Sequence, residues 1–314
     1  KAVEQGRQAI TTIKGVAGIG SEFDAIIIGG GDLILPKYFA TSYFDDHFLQ
    51  KPIFMHGIGV PLWTGEDPAV VERIAKFVRH PNVRRINARD RESARWIKQK
   101  LKASAPLDYS IDMVFALDFP KVVRDRKKKV FGLIMRKLTP GQTRWDNITA
   151  LCERARDLGY EIRNIVLGTG QIREDDLAGL KEWDYPNAVL IDPNDNAALT
   201  REIAACDVIA STKFHGCVIA IAYGVPAITL TTTDKFVNLY RLLEREDLIS
   251  HFIHNDLVER LPKYPAPIPR STRIAVRNNA AASMMRLRAA LWFSADTIKV
   301  ATTFSKRFCT APKV

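Results

Sequence analysis

An α/β fold with parallel sheets is predicted for this 314-residue chain by three observations. Short apolar runs, each the size of a buried strand, alternate with longer amphipathic stretches along most of its length. The runs end in glycine, small polar or charged residues, as strands do where they hand over to helices. A basic tract, 124–129, separates two such series. Strand–helix alternation implies parallel sheets with helices on both faces. A chain of this length suits two domains, and a boundary at the basic tract gives units 1–125 and 126–314. Two Rossmann-like units facing each other across a cleft are a GT-B-like architecture, which is the fold class expected here.

The elements follow in order. Ala25–Ile28 is a buried strand ending in Gly29-Gly30-Gly31-Asp32, and Pro52–His56 is the next, ending in Gly57-Ile58-Gly59. Asp67–Arg79 has helical periodicity, Arg84–Ala88 reads as a strand, Asp90–Leu101 as a helix and Met113–Ala116 as a further strand. An initial strand and phosphate-type loop are expected before Ala25. Residues 1–20 read as neither, so something N-terminal is expected to be absent. In the second unit Val130–Met135 is a strand, and Trp145–Leu158 is a helix that stops at Gly159. Ile162–Leu167, Ala188–Ile191, Val208–Ala210 and Ala227–Leu230 continue the strand series, with a small-residue helix over Cys217–Gly224. Residues 271–307 form a basic amphipathic C-terminal segment that includes a helix.

Composition narrows the function classes. A hydrophobic content of 46% with 9% aromatic residues is that of an ordinary globular protein. No apolar run reaches 18 residues, so no membrane-spanning helix is expected. The chain begins at Lys1 without Met, an Arg-rich leader or an apolar signal segment, as a trimmed product would. Cys152, Cys206, Cys217 and Cys309 form no CxxC pair, which argues against a zinc knuckle. Cys206 and Cys217 lie in apolar contexts and read as buried thiols, so a cytoplasmic location is expected. The formal charge of +11 favours an anionic partner. Its basic residues accompany no nucleic-acid-binding motif, so nucleic acid is not expected. The partners left are an acidic substrate or an anionic membrane surface.

The richest stretch is Ser211-Thr212-Lys213-Phe214-His215-Gly216. It follows an apolar run and precedes a small-residue helix, so a cation and an imidazole stand where a parallel strand passes into a helix. That carboxyl edge is where open α/β sheets bind ligands, and the helix-start amides there favour an anion. His215 is therefore the candidate for chemistry; the alternative is a histidine that caps the helix or bonds a neighbouring loop. Arg136 ends the strand before it, with Lys137 beside it, and Arg suits bidentate capture of carboxylate or phosphate. Lys235 follows the Ala227–Leu230 run and the tract Thr231-Thr232-Thr233, within reach of the same anion.

In the first unit, Gly30 and Gly31 mark a close approach or a positive-φ turn. The run is not GxGxxG, so it is a weak dinucleotide signal. Arg89-Asp90-Arg91-Glu92-Ser93 opens a helix. Asp90 there is either a cap or, less simply, a catalytic acid. Only His251 and His254 among the six histidines are close in sequence, and no metal site is expected.

Three motifs in order resemble the polysaccharide pyruvyl transferases over about residues 24–240. They are Ile26-Ile27-Ile28-Gly29-Gly30-Gly31, Arg89-Asp90-Arg91-Glu92-Ser93, and Ser211-Thr212-Lys213-Phe214-His215-Gly216 with Gly224-Val225-Pro226. The chain departs from the pattern at Lys213, where the family has Arg; the charge is kept and the bidentate fork is lost. The family's early Gly/Asn-rich loop is also not visible. The resemblance implies a GT-B-like fold and transfer of the enolpyruvyl group of phosphoenolpyruvate, forming a cyclic pyruvate ketal on two sugar hydroxyls. Together with the strand-edge positions above, it makes His215 the expected catalytic residue and Arg136, Lys213, Gly216 and Lys235 the expected donor site in the second unit. The acceptor or cleft side in the first unit would hold Gly30, Gly31, Asp32, Arg89, Asp90 and Ser93. The expected partners are phosphoenolpyruvate, as co-substrate with no other cofactor and no metal, and a glycan acceptor for exopolysaccharide synthesis. The resemblance allows a lipid-linked acceptor, with the enzyme peripheral on the inner face of the cytoplasmic membrane. The rival readings are a GT-B glycosyltransferase using a nucleotide sugar and a non-catalytic carbohydrate- or membrane-associated binding protein.

Overall fold

A computed structural model describes residues 23–124, 127–136, 144–183, 188–189, 192, 195–263, 266–292 and 300–302. The chain divides into two compact units. One comprises the described residues up to Met113 together with those from Asn279 onward, and the other is Val114–Asn278.

The first unit is built on five parallel strands: β1 (Ala25–Asp32), β2 (Ile53–Gly59), β3 (Val83–Ala88), β4 (Leu107–Tyr109) and β10 (Val300–Thr302), in the order β10-β1-β2-β3-β4. Helices α1 (Pro68–Val78) and α2 (Arg91–Trp96, continued by a π-turn at Ile97–Leu101) belong to this unit. The second unit holds β5 (Lys129–Ile134), α3 (Trp145–Asp157), β6 (Tyr160–Ile165), α4 (Gln171–Trp183), β7 (Ala188–Val189), α5 (Asn196–Ala205), β8 (Val208–Ser211), α6 (Phe214–Tyr223), β9 (Ala227–Thr229), α7 (Asp234–Leu242) and α8 (Leu257–Arg260). Its sheet runs β7-β6-β5-β8-β9, again all parallel. Helix α9 (Arg270–Trp292) begins in the second unit and ends in the first.

Apolar runs without alternation become strands buried on both faces, as parallel sheets require. In β1, Ile26 and Ile28 pack with Met55, Ile86, Ile74 of α1 and Trp96 of α2. Ala25 and Ile27 point the other way, against Phe54 and Leu287 of α9. Helix ends follow their capping residues. Asp67 accepts from Ala69 N–H at 2.9 Å with Pro68 in the first turn, and Gly159 (φ 82°) closes the end of α3.

Four expectations change. Met113–Ala116 is a 3-10 turn and not a strand; a four-residue apolar run has no periodicity to separate the two. The strand there is β4, three partly exposed residues at the sheet edge with little apolar signal. The unit boundary falls at 113/114 and not at 125/126, and residues from Asn279 onward join the first unit, because α9 covers its sheet. Finally, the strand beyond β1 comes from the far end of the sequence: β10 pairs Val300 with Ala25. Residues 1–20, Lys137, Cys309, Asp125 and Arg126 lie outside the described residues.

Helix α9 also carries one end of a polar network in the first unit. His56 on β2 is 1% exposed, and its Nε2 lies 3.2 Å from Ser283 Oγ. Ser283 meets Ser110 at 3.1 Å, and Ser110 donates to Asn87 Oδ1 at 3.0 Å. Asn87 in turn donates to Asp108 at 2.9 Å, and Asp108 is paired with both Arg85 and Arg286. Burial lowers the His56 pKa to about 4, with Arg85 and Arg286 also lowering it and Asp108 opposing. A folded-state pKa below the unfolded one contributes stability that is present above pH 6.5 and lost as pH falls toward 4. Replacing His56 by Asn should therefore flatten the acid limb: between pH 7 and 5 the wild type should lose about 2 kcal/mol more than H56N in urea unfolding. Equal losses would remove His56 as the cause.

Candidate functional site

The second sheet has its switch point between β5 and β8: the chain leaves β5 toward β6 and β7, then returns to add β8 and β9 on the other side. Ligands of open α/β sheets bind beyond the carboxyl ends at such a point. Here those ends are tied together. Ile134 is in register with Ser211; Thr212 N–H donates to Ile134 O at 2.9 Å, and Thr212 Oγ1 accepts from Arg136 N–H at 2.8 Å. The stitching sets Arg136 and Lys213 side by side, each two residues past the paired positions. Arg136 is exposed.

The turn into α6 is closed by a buried serine. Ser211 Oγ accepts from Lys213 N–H and donates to Lys213 O, both at 2.9 Å. Gly216, in the first turn, is pressed against the sheet: a Cβ there would lie 2.8 Å from both Ile134 Cδ1 and Ser211 Oγ. Its N–H donates to Lys213 O at 3.1 Å. The glycine thus lets the helix seat on β5 and β8, with its own amide engaged inside the turn. Behind it, burial pushes the Cys217 thiol up to about 12, and Cys206 likewise, so both remain neutral thiols.

Lys213 also differs from an open cation. Its ammonium is ion-paired with Asp176 on α4; the two side chains are 13% and 2% exposed. Because α4 follows β6 and Lys213 follows β8, the pair crosses the end of β5. Gly168 makes room for it, since a Cβ there would meet Asp176 Oδ2 at 2.5 Å. No motif pointed to Asp176; it sits in an ordinary helical stretch, and only the packing of α4 against the β8 turn brings it to the site.

His215 is exposed on a helix whose other residues from Phe214 to Ile221 are buried. Its ring lies 5.6 Å from that of Phe214, edge-on. Phe214 in turn meets Phe236 of α7 at 5.5 Å and carries Lys235 Nζ 5.7 Å from its ring centre. Phe214 is thus the shared floor under an imidazole from α6 and an ammonium from α7. The hydroxyls of Thr231 and Thr233, between β9 and α7, are buried with no protein hydrogen-bond partner.

At the carboxyl edge of the first sheet, Gly30 (φ 82°) and Gly31 (φ 115°) turn the end of β1, with open space where a Cβ would stand. Asp32 is ion-paired with Arg89, whose side chain is 6% exposed. Gly59 lies beneath that pair: a Cβ there would come 2.5 Å from Asp32 Oδ1. Asp90 caps α2 by accepting from Ser93 N–H at 2.7 Å, and Ser93 Oγ accepts from Val60 N–H at 3.0 Å. The structure therefore groups the expected first-unit residues, with Arg89, Asp90 and Ser93 engaged in holding loops. Among the described residues no group of three His, Cys, Asp or Glu could hold a metal ion.

Comparison with known proteins adds a family and a fold. Residues 5–234 match the family model for polysaccharide pyruvyl transferase. No curated protein matches the chain in sequence. Among solved structures, UDP-GlcNAc 2-epimerase from Neisseria meningitidis, bound to UDP-GlcNAc, superposes with a TM-score of 0.53 at 13% identity, over 92% of this chain and 81% of that one. MnaA from S. aureus, in its UDP co-structure, gives a TM-score of 0.55 at 13% identity, over 93% and 78%. At that identity the likeness establishes the fold alone, a GT-B-like pair of parallel-sheet α/β domains.

The Asp176–Lys213 pair should be structural as well as local. Asp176→Ala leaves a buried ammonium unpaired and should lower unfolding stability by about 3 kcal/mol. Asp176→Leu combined with Lys213→Met should recover most of that loss. Thermal and urea unfolding of the three proteins decides; a single variant as stable as wild type would show that the pair contributes nothing.

Proposed function

We infer the reaction from a premise that the match over residues 5–234 establishes: the chain belongs to the polysaccharide pyruvyl transferase family. We propose that it moves the enolpyruvyl group of phosphoenolpyruvate onto two hydroxyls of a sugar in a polysaccharide precursor, forming a pyruvate ketal. The observation that carries this is the grouping, around the switch point of the second sheet, of an exposed imidazole with Arg136, Lys213 and Lys235. Phosphoenolpyruvate carries a phosphate and a carboxylate, so its site needs several cations.

In this reading protonated His215 gives its proton to the methylene carbon of phosphoenolpyruvate, leaving an oxocarbenium-like centre at C2. The first sugar hydroxyl adds there and its proton passes back to the imidazole. The C2–O bond to phosphate then breaks, and the second hydroxyl closes the ring. One hydroxyl proton ends in the new methyl group and the other on phosphate, so the sum is donor plus diol giving ketal plus inorganic phosphate. Arg136 and Lys235 bind the anion and stabilise charge on the departing phosphate. Lys213, anchored by Asp176, keeps its remaining N–H donors for the same anion. The first unit binds the glycan.

Phosphoenolpyruvate should raise the melting temperature where UDP-GlcNAc does not; the opposite result favours a nucleotide-sugar glycosyltransferase. With a glycan panel read by mass, His215→Ala should cut ketal formation by about 10²-fold or more while the protein stays folded. Arg136→Ala should raise the KM for the donor. Near-normal turnover in His215→Ala would sink the assignment.

The outer face of α9 supports a lipid-linked acceptor. Ile274, Met285 and Trp292 are exposed along one stripe of that helix, with Arg270, Arg277 and Arg288 beside it. Among the described residues no helix is long and apolar enough to cross a membrane. A basic stripe with tryptophan suits the surface of an anionic bilayer. Co-sedimentation with anionic but not neutral vesicles, weakened by salt, is expected; absence of binding at low salt would remove the membrane from the proposal.

A further inference from the structure

Four large apolar side chains are solvent-exposed among the described residues up to Met113: Tyr38 at 60%, Leu62 at 38%, Trp63 at 66% and Tyr109 at 49%. Single exposed apolar residues are ordinary on protein surfaces. Their distribution here is not. Trp63 and Leu62 follow the carboxyl end of β2, and Tyr109 is the last residue of β4. Tyr38 lies six residues past the end of β1, and its loop is held at the same edge: Pro36 O accepts from the N–H of Asp67, the cap of α1, at 3.0 Å. All four therefore stand at the carboxyl edge of the sheet, the edge where open α/β sheets bind ligands. Among the described residues, the loops at its amino edge contribute none.

The loop that presents Trp63 is fixed at each step. Its start is tied by Val60 N–H to Ser93 Oγ at 3.0 Å. Thr64 Oγ1 donates to Pro61 O at 2.9 Å, and Gly65 N–H donates to Leu62 O at 3.4 Å. Glu66 then accepts from Trp96 Nε1 at 2.7 Å and is paired with Lys100 at 2.8 Å, which holds its carboxyl below the usual range. Trp63 is 66% exposed on a loop held on both sides of it by these bonds, so a ligand meets little ordering cost there.

We propose that Trp63, with Tyr38 as a second ring, is a stacking platform for a pyranose ring of the glycan acceptor. The apolar C–H face of a pyranose lies flat on an aromatic face while its hydroxyls stay outward, toward water and polar groups. Asp32, at the end of β1 and partly exposed, and the open turn at Gly30 and Gly31 lie at the same edge and supply an acceptor and room there. The indole face also explains why these side chains are not the charged residues usual at an exposed loop. Trp63 is a positioning residue for the sugar, and this assignment rests on the proposed transfer to a glycan.

The test is a binding experiment on the full chain without phosphoenolpyruvate, so that it fails or succeeds separately from the transfer reaction. Saturation-transfer NMR is measured with cellotriose, maltotriose, mannotriose, galactotriose and chitotriose. At least one should bind the wild type with a dissociation constant no weaker than about 10 mM. Trp63→Ala should weaken that binding by about 10-fold, Trp63→Phe by no more than about 3-fold, and Trp292→Ala not at all. No binding by the wild type to any of the five, or equal binding by Trp63→Ala, overturns the platform. Glycan binding that depends on Trp63 in a protein that forms no ketal would keep the platform and reject the transfer.

Discussion

Parallel pairing is the constraint on which the rest of this molecule depends. When every strand in a sheet points the same way, every carboxyl end falls on one edge, and the loops that carry chemistry are gathered there whatever their distance in sequence. In the second sheet this brings together the turn after β5, the turn after β8 and the start of α7, which are some hundred residues apart from first to last. In the first sheet it gathers the Gly30–Gly31 turn, the Trp63 loop and the Arg89–Ser93 cap. Parallel strands also need cover on both faces, and in the first unit α9 provides one of those covers from the far end of the chain.

The cations illustrate how such an edge manages charge. In a protein with a formal excess of 11 positive charges, two of the most buried cations among the described residues are paired. Lys213 has Asp176, and Arg89 has Asp32. Each pair sits over a glycine, Gly168 in one case and Gly59 in the other, because a β-carbon would collide with the carboxylate. The desolvation of an unpaired charge costs more than the pair returns, so these residues hold turns rigid. Arg136 and His215 are exposed and Lys235 half-exposed at the same edge, with Phe214 packed under His215 and Lys235.

Much of this was legible in the residues themselves. The buried runs, their punctuation by glycine and small polar residues, and the caps at Asp67 and Asp90 are local properties, set by backbone sterics and by the need to satisfy helix-start amides. They located nearly every strand, and the turn containing His215. The failures have local causes too. β4 is too short to carry a pattern, and Met113–Ala116 is an apolar run that fits a turn as well as a strand.

The sequence by itself determined the two-unit α/β class, most of the strands and the strand-to-helix turns where site residues stand, because each follows from periodicity and capping within a few residues. Only the tertiary structure decided which charges are paired in the interior. Asp176 meets Lys213, and Ser283 meets His56, through packing between segments 37 and 227 residues apart. It also decided that the last strand of the first sheet is β10 and that Trp63 stays in solvent. Pairing and burial are properties of surfaces brought together by folding, and no local spacing encodes them.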